Sequence, residues 1–236
     1  GMTGCVVRDK EIYGPQYRLA RRFALDRLQE EARRCRECEE ATCTQGCPAG
    51  VDVPAFVKAF SENDIARSYA VLKQSNVLPE MCAYVCPSQV QCEGGCLEQT
   101  FCENPIPIRD IQLVVSRIAR RRGITGVSLP EKARGRSVAV VGGGPAGVAA
   151  AIVLLEKGHA VTIYDRGERL GGTPDAIIPG DRFAQARKEI DAALMPAIKA
   201  GRCAVKTGSA LGGDLTLGGL HKEFDAVLLT PGLGKG

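Results

Sequence analysis

The chain's 236 residues, 44% of them hydrophobic, suffice for one large or two modest folded cores. A formal charge of only +4, 5% aromatics and no Trp leave little with which to stack nucleic-acid bases, so no nucleic-acid partner is expected. No run of about 18 apolar residues is present to span a membrane, and no apolar secretory stretch opens the sequence.

Residues 17–34 place Leu19, Phe23, Leu28 and Ala32 at helical spacing. The run Cys35-x2-Cys38-x4-Cys43-x3-Cys47 follows and closes on Pro48. Residues 53–60 read as a short apolar helix with Pro54 in its first turn. Asp64 then caps a helix carrying Ile65, Tyr69 and Leu72. A second run, Cys82-x3-Cys86-x5-Cys92-x3-Cys96, has Pro87 directly after Cys86. Residues 108–121 form a longer helix, and Gly123, Gly126, Pro130 and Gly135 mark 123–136 as a linker. Arg33-Arg34, Arg120-Arg121-Arg122 and Arg134-x-Arg136 read as solvated helix ends and linker, or else as a surface for an acidic partner or a phosphate.

The character of the chain then changes. Residues 137–141 are a β-branched run that stops in glycines, as a buried parallel strand does. Residues 146–156 read as a helix and 160–165 as the next strand, which together make a β-α-β unit. A helix over 183–200 and strands near 204–207 and 226–229 complete the pattern.

Eight of the eleven cysteines fall in the two runs. Thiolates at this density ligate soft metals, and a run closing in Cys-Pro is a habit of iron–sulfur proteins. Zinc in a four-thiolate site is the rival reading, though only one Cys-x2-Cys pair occurs. Free core thiols are the remaining one. His159 and His221 lie far from both runs in sequence, so imidazole ligation is not expected. Cys5, Cys102 and Cys203 stand outside the spacing and read as bystanders. Many thiols without an export signal suit a reducing, cytoplasmic setting.

In the second half, Gly142-Gly143-Gly144-Pro145-Ala146-Gly147 joins a strand to a helix as G-x-G-x-x-G. Gly142 permits the tight turn, Gly144 lets backbone approach a pyrophosphate, and Gly147 lets helix and strand pack. The helix N-terminus offers N–H groups to phosphate, and Asp165 at the next strand's end can accept from a ribose hydroxyl. A glycine turn in an unrelated α/β domain is the bland alternative. Arg166 beside the acid is a candidate for a 2′-phosphate, which would favour NADP.

These motifs resemble the iron–sulfur and flavin half shared by the small (beta) subunit of NADPH-dependent glutamate synthase and dihydropyrimidine dehydrogenase. The resemblance rests on Ala32-Arg-Arg-Cys35-x-x-Cys38…Cys43-Thr-Gln-Gly-Cys47-Pro48, on Val51-Asp52-Val53-Pro54-x-Phe56, and on Leu78-Pro79-Glu80-Met81-Cys82-x-x-x-Cys86-Pro87…Cys92-x-Gly94-Gly95-Cys96. The double glycine Gly171-Gly172 and the stretch Ile178-Pro179-x-x-Arg182 resemble the flavin-binding branch. The resemblance implies a helical-ferredoxin-like domain binding two 4Fe–4S clusters over residues 1–128, and a partial FAD-binding Rossmann-type domain over 129–236. It implies that the ligands interleave: Cys35, Cys38, Cys43 and Cys96 for one cluster, and Cys47, Cys86 and Cys92 for the other. Gln112 matches the position where the dehydrogenase branch supplies a glutamine as last ligand, with Cys82 as the alternative. On a helix Gln112 shares a stripe with Ile108, Val115 and Ala119, so its amide needs a polar partner, an iron or a backbone group.

The implied function is electron transfer from NAD(P)H through FAD to the clusters and on to a large catalytic subunit or further domain. NAD(P)H would enter through a domain that this chain does not contain, for no second glycine fingerprint occurs. Where relatives carry Ala-Thr-Gly, this chain has Thr230-Pro231-Gly232, and Pro231 has no amide to offer a flavin. The alternative is a non-catalytic electron-transfer or docking module, or a fragment, that needs another chain to finish the flavin site.

Overall fold

A computed structural model describes residues 21–133, 135–177 and 180–233. Cys5, residues 17–20, Arg134, Ile178 and Pro179 lie outside them. The chain folds as two compact units that divide between Ile124 and Thr125.

The first unit is helical: α1 (Arg21–Arg33), α2 (Thr42–Gln45), α3 (Val53–Ser61), α4 (Ile65–Ser75), α5 (Pro79–Val85), α6 (Leu97–Cys102) and α7 (Ile108–Arg121), with a 3₁₀ turn at Ser88–Val90. Asp52 accepts from the Ala55 amide at the start of α3, and Asp64 from the Arg67 amide at the start of α4. Each satisfies a helix N–H that has no intrahelical partner. Asn63 is left-handed between the two helices, so α3 ends there and the chain reverses. Phe56, Phe60, Leu72, Ile111 and Val115 are fully buried where α3, α4 and α7 meet. Ser68 Oγ donates to the Phe56 carbonyl at 2.8 Å and joins α4 to α3.

Glu80, wholly buried on α5, pairs with Arg120 at 3.0 Å and Arg117 at 3.3 Å on α7. Removing one side of such a pair leaves its partners' charge poorly compensated in a dry site. Glu80→Ala is expected to cost about 3 kcal/mol, read as a lower urea midpoint of the helical circular-dichroism signal of the full chain.

The second unit is a four-stranded parallel sheet: β1 (Ser137–Val141), β2 (Ala160–Tyr164), β3 (Cys203–Lys206) and β4 (Ala226–Leu229) in the order β3-β2-β1-β4. Ser137 pairs with Ala160, Val161 with Cys203 and Val138 with Ala226. The helices are α8 (Pro145–Glu156), α9 (Gly172–Ile177), α10 (Gly180–Lys199) and α11 (Leu217–Glu223). Central β1 buries Ala139 and Val140 completely, and α8 adds Ala151, Ile152 and Leu155. The strand order reverses at β1, so a crevice opens at the carboxyl ends of β1 and β4. The Val127 amide bonds to the Ala193 carbonyl at 2.9 Å, which fastens that part of the predicted linker to α10.

Candidate cluster and nucleotide sites

Main-chain interlocking brings the two cysteine runs together. A Cβ on Gly46 would lie 2.9 Å from the Gln91 carbonyl oxygen, and one on Gly95 would lie 2.9 Å from that of Thr42. A Cβ on Gly94 would overlap the Gln89 carbonyl oxygen. Thr42 Oγ1 donates to the Gly95 carbonyl. These glycines let the second run lie flat against α2 and deliver Cys96 beside the first run.

Two sets of thiols result. Burial raises the Cys35 pKa, with Cys96 and Cys38 as further causes. Burial pushes Cys43 up to about 11, helped by Cys96 and Cys35. Cys92 is pushed up to about 12 by burial, then by Glu93, Cys86 and Cys47. Cys86 is raised by burial and by Cys47, with Arg109 opposing. Cys35, Cys38, Cys43 and Cys96 are therefore electrostatic neighbours, and so are Cys47, Cys86 and Cys92. Raised in this way, Cys35, Cys43, Cys86 and Cys92 keep their protons until a metal takes them.

Backbone N–H groups are aimed at the sulfurs. The Glu37 amide donates to Cys35, the Thr44 amide to Cys43 and the Glu93 amide to Cys92. Glu37 holds a left-handed backbone at φ 49°, unusual for a non-glycine residue, in the turn between Cys35 and Cys38. Among the described residues no three His, Cys, Asp or Glu side chains close on one ion. The donor chemistry suits clusters: desolvated sulfurs in two groups, with N–H donors around them.

Cys82 Sγ is 3.5 Å from Asn76 Oδ1, which also accepts from the Leu78 amide ahead of α5. Gln112 on α7 donates Nε2 to the Pro79 carbonyl at 2.7 Å, the backbone partner foreseen for an inward amide. Because a carbonyl only accepts, this contact identifies the nitrogen and turns Oε1 to the amide's other side. Of the bystanders, Cys102 hydrogen-bonds to Glu98, and Cys203 is buried on β3 with its thiol raised to about 11 by burial. Burial would raise the Glu98 pKa, but Arg36, Cys102 and Arg34 together hold it below the usual carboxylate range.

In the second unit, Gly142 sits at φ 113°, and a side chain there would overlap the Thr230 carbonyl. A Cβ on Gly147 would overlap the Gly142 carbonyl. Around Gly144, by contrast, the nearest atom to a built Cβ is Gly172 Cα at 3.8 Å, so its surface is open to a ligand. Pro145 opens α8, where its missing N–H costs nothing, and Ala146 and Gly147 follow in the first turn. Gly171, at φ 131°, donates its amide to the Gly143 carbonyl at 2.9 Å, which seats the second glycine pair on the first turn.

Asp165 differs from its simplest reading. Its carboxylate accepts from the Gly143 amide at 2.6 Å and from the Gly167 amide at 2.7 Å. Each oxygen still has a lone pair, so a ribose hydroxyl can add to bonds that already fix the side chain. Arg166 is exposed and makes no ion pair among the described residues. Thr230, directly after β4, opens the segment set against the relatives' Ala-Thr-Gly and joins the glycine turn itself. Its amide donates to Val141 at 2.8 Å, and its hydroxyl lies 2.9 Å from the Gly142 carbonyl. Its place at the carboxyl end of a strand beside β1 was the available signal.

Residues 16–124 match the family model described as dihydropyrimidine dehydrogenase domain II, 4Fe–4S cluster, and residues 140–182 match that of the NAD(P)-binding Rossmann-like domain. Over 214 residues the chain is 32% identical to the glutamate synthase [NADPH] small chain of Azospirillum brasilense, covering 91% of this chain and 44% of that one. It is 33% identical over 207 residues to the NAD-dependent dihydropyrimidine dehydrogenase subunit PreT of Escherichia coli (strain K12), covering 88% and 49%. The glutamate synthase [NADPH] small chain of Mycobacterium tuberculosis (strain ATCC 25618 / H37Rv) is 32% identical over 210 residues, covering 89% and 42%. The chain thus spans about half the length of the curated relatives it matches. With a helical 4Fe–4S domain followed by a Rossmann-like domain, it is similar over about nine tenths of its own length to glutamate synthase small chains and to PreT-type dihydropyrimidine dehydrogenase subunits.

Proposed function

We propose that the chain is the electron-relaying half of an NAD(P)H-dependent flavin and iron–sulfur oxidoreductase of the glutamate synthase small-subunit type. The observation that carries this reading is the sorting of thiols drawn from both runs into two desolvated sets. Cys35, Cys38, Cys43 and Cys96 hold one 4Fe–4S cluster. Cys47, Cys86 and Cys92 hold the other, and Gln112 Oε1 completes it while the Pro79 carbonyl steadies the amide. Gly142, Gly144, Pro145, Ala146 and Gly147 cradle the pyrophosphate of FAD, with Gly171 and Gly172 on its other side. Asp165 takes the ribose, and Arg166 lies at its rim. When bound, these groups supply two-electron chemistry at the flavin and one-electron steps at the clusters. The protein's own contribution is to hold them, exclude water and set potentials. A large subunit or further domain accepts the electrons, and NAD(P)H is the electron donor.

The edge of the sheet favours a second reading, a module whose flavin site another segment or chain completes. Leu228 and Leu229 on edge strand β4 remain 38% and 46% exposed, more than a finished Rossmann sheet leaves uncovered. Turnover of NADPH with an artificial acceptor separates the two: none at all, with the clusters intact, selects the module.

Anaerobically prepared protein is expected to hold about eight irons, equal sulfide and one FAD per chain. Colourless material, or zinc in place of iron, overturns the reading. Gln112→Ala should then alter the electron paramagnetic resonance of one centre and spare the other. An unchanged spectrum removes Gln112 from the ligand set.

A further inference from the structure

One polar contact in the second set is not accounted for by ligation. Gln91 Oε1 lies 2.6 Å from Cys86 Sγ. The main chain of Gln91 is held on three sides: its amide donates to Ser88 at 3.1 Å, its carbonyl accepts from Gly95 at 2.9 Å, and Gly46 packs against that carbonyl. The side chain therefore starts from a fixed point and reaches the sulfur without freedom to wander. Cys35, Cys43 and Cys92 each receive a backbone N–H, whereas the influences on Cys86 are burial, Cys47, Arg109 and Glu93.

We infer that the Gln91 amide donates an N–H to the Cys86 sulfur when that sulfur binds iron, and so raises the reduction potential of the centre held by Cys47, Cys86 and Cys92. The inference rests on the cluster assignment proposed above and adds a residue that tunes it. In the free thiol, Cys86 S–H donates to the amide oxygen, as the contact shows. Ligation removes that proton and leaves an anionic sulfur facing an acceptor. The amide responds by turning about its last torsion, which is broad and nearly two-fold. Its NH₂ then faces the sulfur and its oxygen faces away. An N–H···S bond withdraws charge from the ligand. The reduced centre carries one more negative charge than the oxidised one, so the bond stabilises the reduced form more. Gln91 acts through Cys86 and touches neither flavin nor substrate. It supplies from a side chain what the backbone supplies to the neighbouring sulfurs.

The test is an anaerobic redox titration of the full chain with dithionite, followed by electron paramagnetic resonance, on the wild type, Gln91→Met and Gln91→Glu. Met keeps the length and loses the donor; Glu keeps the shape and turns an anion to the sulfur. Iron and sulfide per chain are measured on each. The expected result is wild-type iron content, one midpoint moved to more negative values in Gln91→Met and further in Gln91→Glu, and the other midpoint unmoved. Full iron with both midpoints unchanged in both variants overturns the inference. Loss of about four irons in Gln91→Met also overturns it, because Gln91 would then be an iron ligand. Absence of clusters from the wild type itself would overturn the parent assignment along with it, and iron content alone tells that case from the others.

Discussion

Cys96→Ala is expected to leave the chain with about four irons instead of about eight, and the lost centre is the one served by the first cysteine run. The expectation follows from the chain crossing, not from sequence proximity. Cys96 belongs by spacing to Cys86 and Cys92, yet its thiol acts electrostatically on Cys35 and Cys43. Gly94 and Gly95 allow the approach, since any side chain there would press on the carbonyl of Gln89 or Thr42. Cys47→Ala supplies the reciprocal case. Cys47 belongs by spacing to the first run but neighbours Cys86 and Cys92. Cys96→Ala and Cys43→Ala should therefore erase the same resonance signal, and Cys47→Ala and Cys92→Ala the other. If Cys96→Ala and Cys92→Ala erase one signal together, each run holds its own cluster and the interleaved assignment is wrong. Iron analysis and spectra of the four purified variants decide this.

Gly147→Val should strip the flavin and spare the iron. A Cβ at this position overlaps the Gly142 carbonyl, and Thr230 Oγ1 lies only 2.7 Å away. Neither neighbour can retreat cheaply. The Gly142 amide is bonded to Tyr164 at 2.8 Å, and Thr230 is tied to β1 through Val141. Forcing bulk between α8 and β1 costs on the order of 3 kcal/mol and displaces the amides that face the pyrophosphate, so FAD affinity should fall about a hundredfold. Gly144→Ala is the informative control. Its Cβ meets nothing closer than 3.8 Å, so the fold tolerates it, and any loss of flavin reports contact with the ligand itself. Equilibrium dialysis of FAD against each variant, with unfolding midpoints alongside, separates the two causes. Wild-type FAD binding by Gly147→Val would remove the glycine turn from the flavin site.

The long elements were legible before any coordinates. Helix α7 spans Ile108–Arg121 because its apolar residues recur at helical spacing, and β1 and β2 follow from β-branched runs flanked by turn glycines. The short helices α2, α5, α6, α9 and α11 were not legible. Helices of four to seven residues cannot meet the nucleation cost alone, so their packing surroundings make them, and propensity does not. The same distinction separates Asp52 and Asp64 from Glu80 and Thr230. A cap acts on an amide three residues onward and can be read locally. Glu80 acts on α7, 37 and 40 residues onward, and Thr230 on the glycine turn 88 residues before it, pairings that no local pattern announces.

By itself the amino-acid order determined which atoms were on offer: eight thiols in two runs, a glycine turn between a strand and a helix, and an acid at the next strand's end. Those are local facts, set by covalent spacing and backbone sterics. Which thiols share a neighbourhood, what steadies the Gln112 amide, and what faces Cys86 were decided only in three dimensions. Close glycine contacts and buried hydrogen bonds join residues that spacing along a chain leaves unrelated.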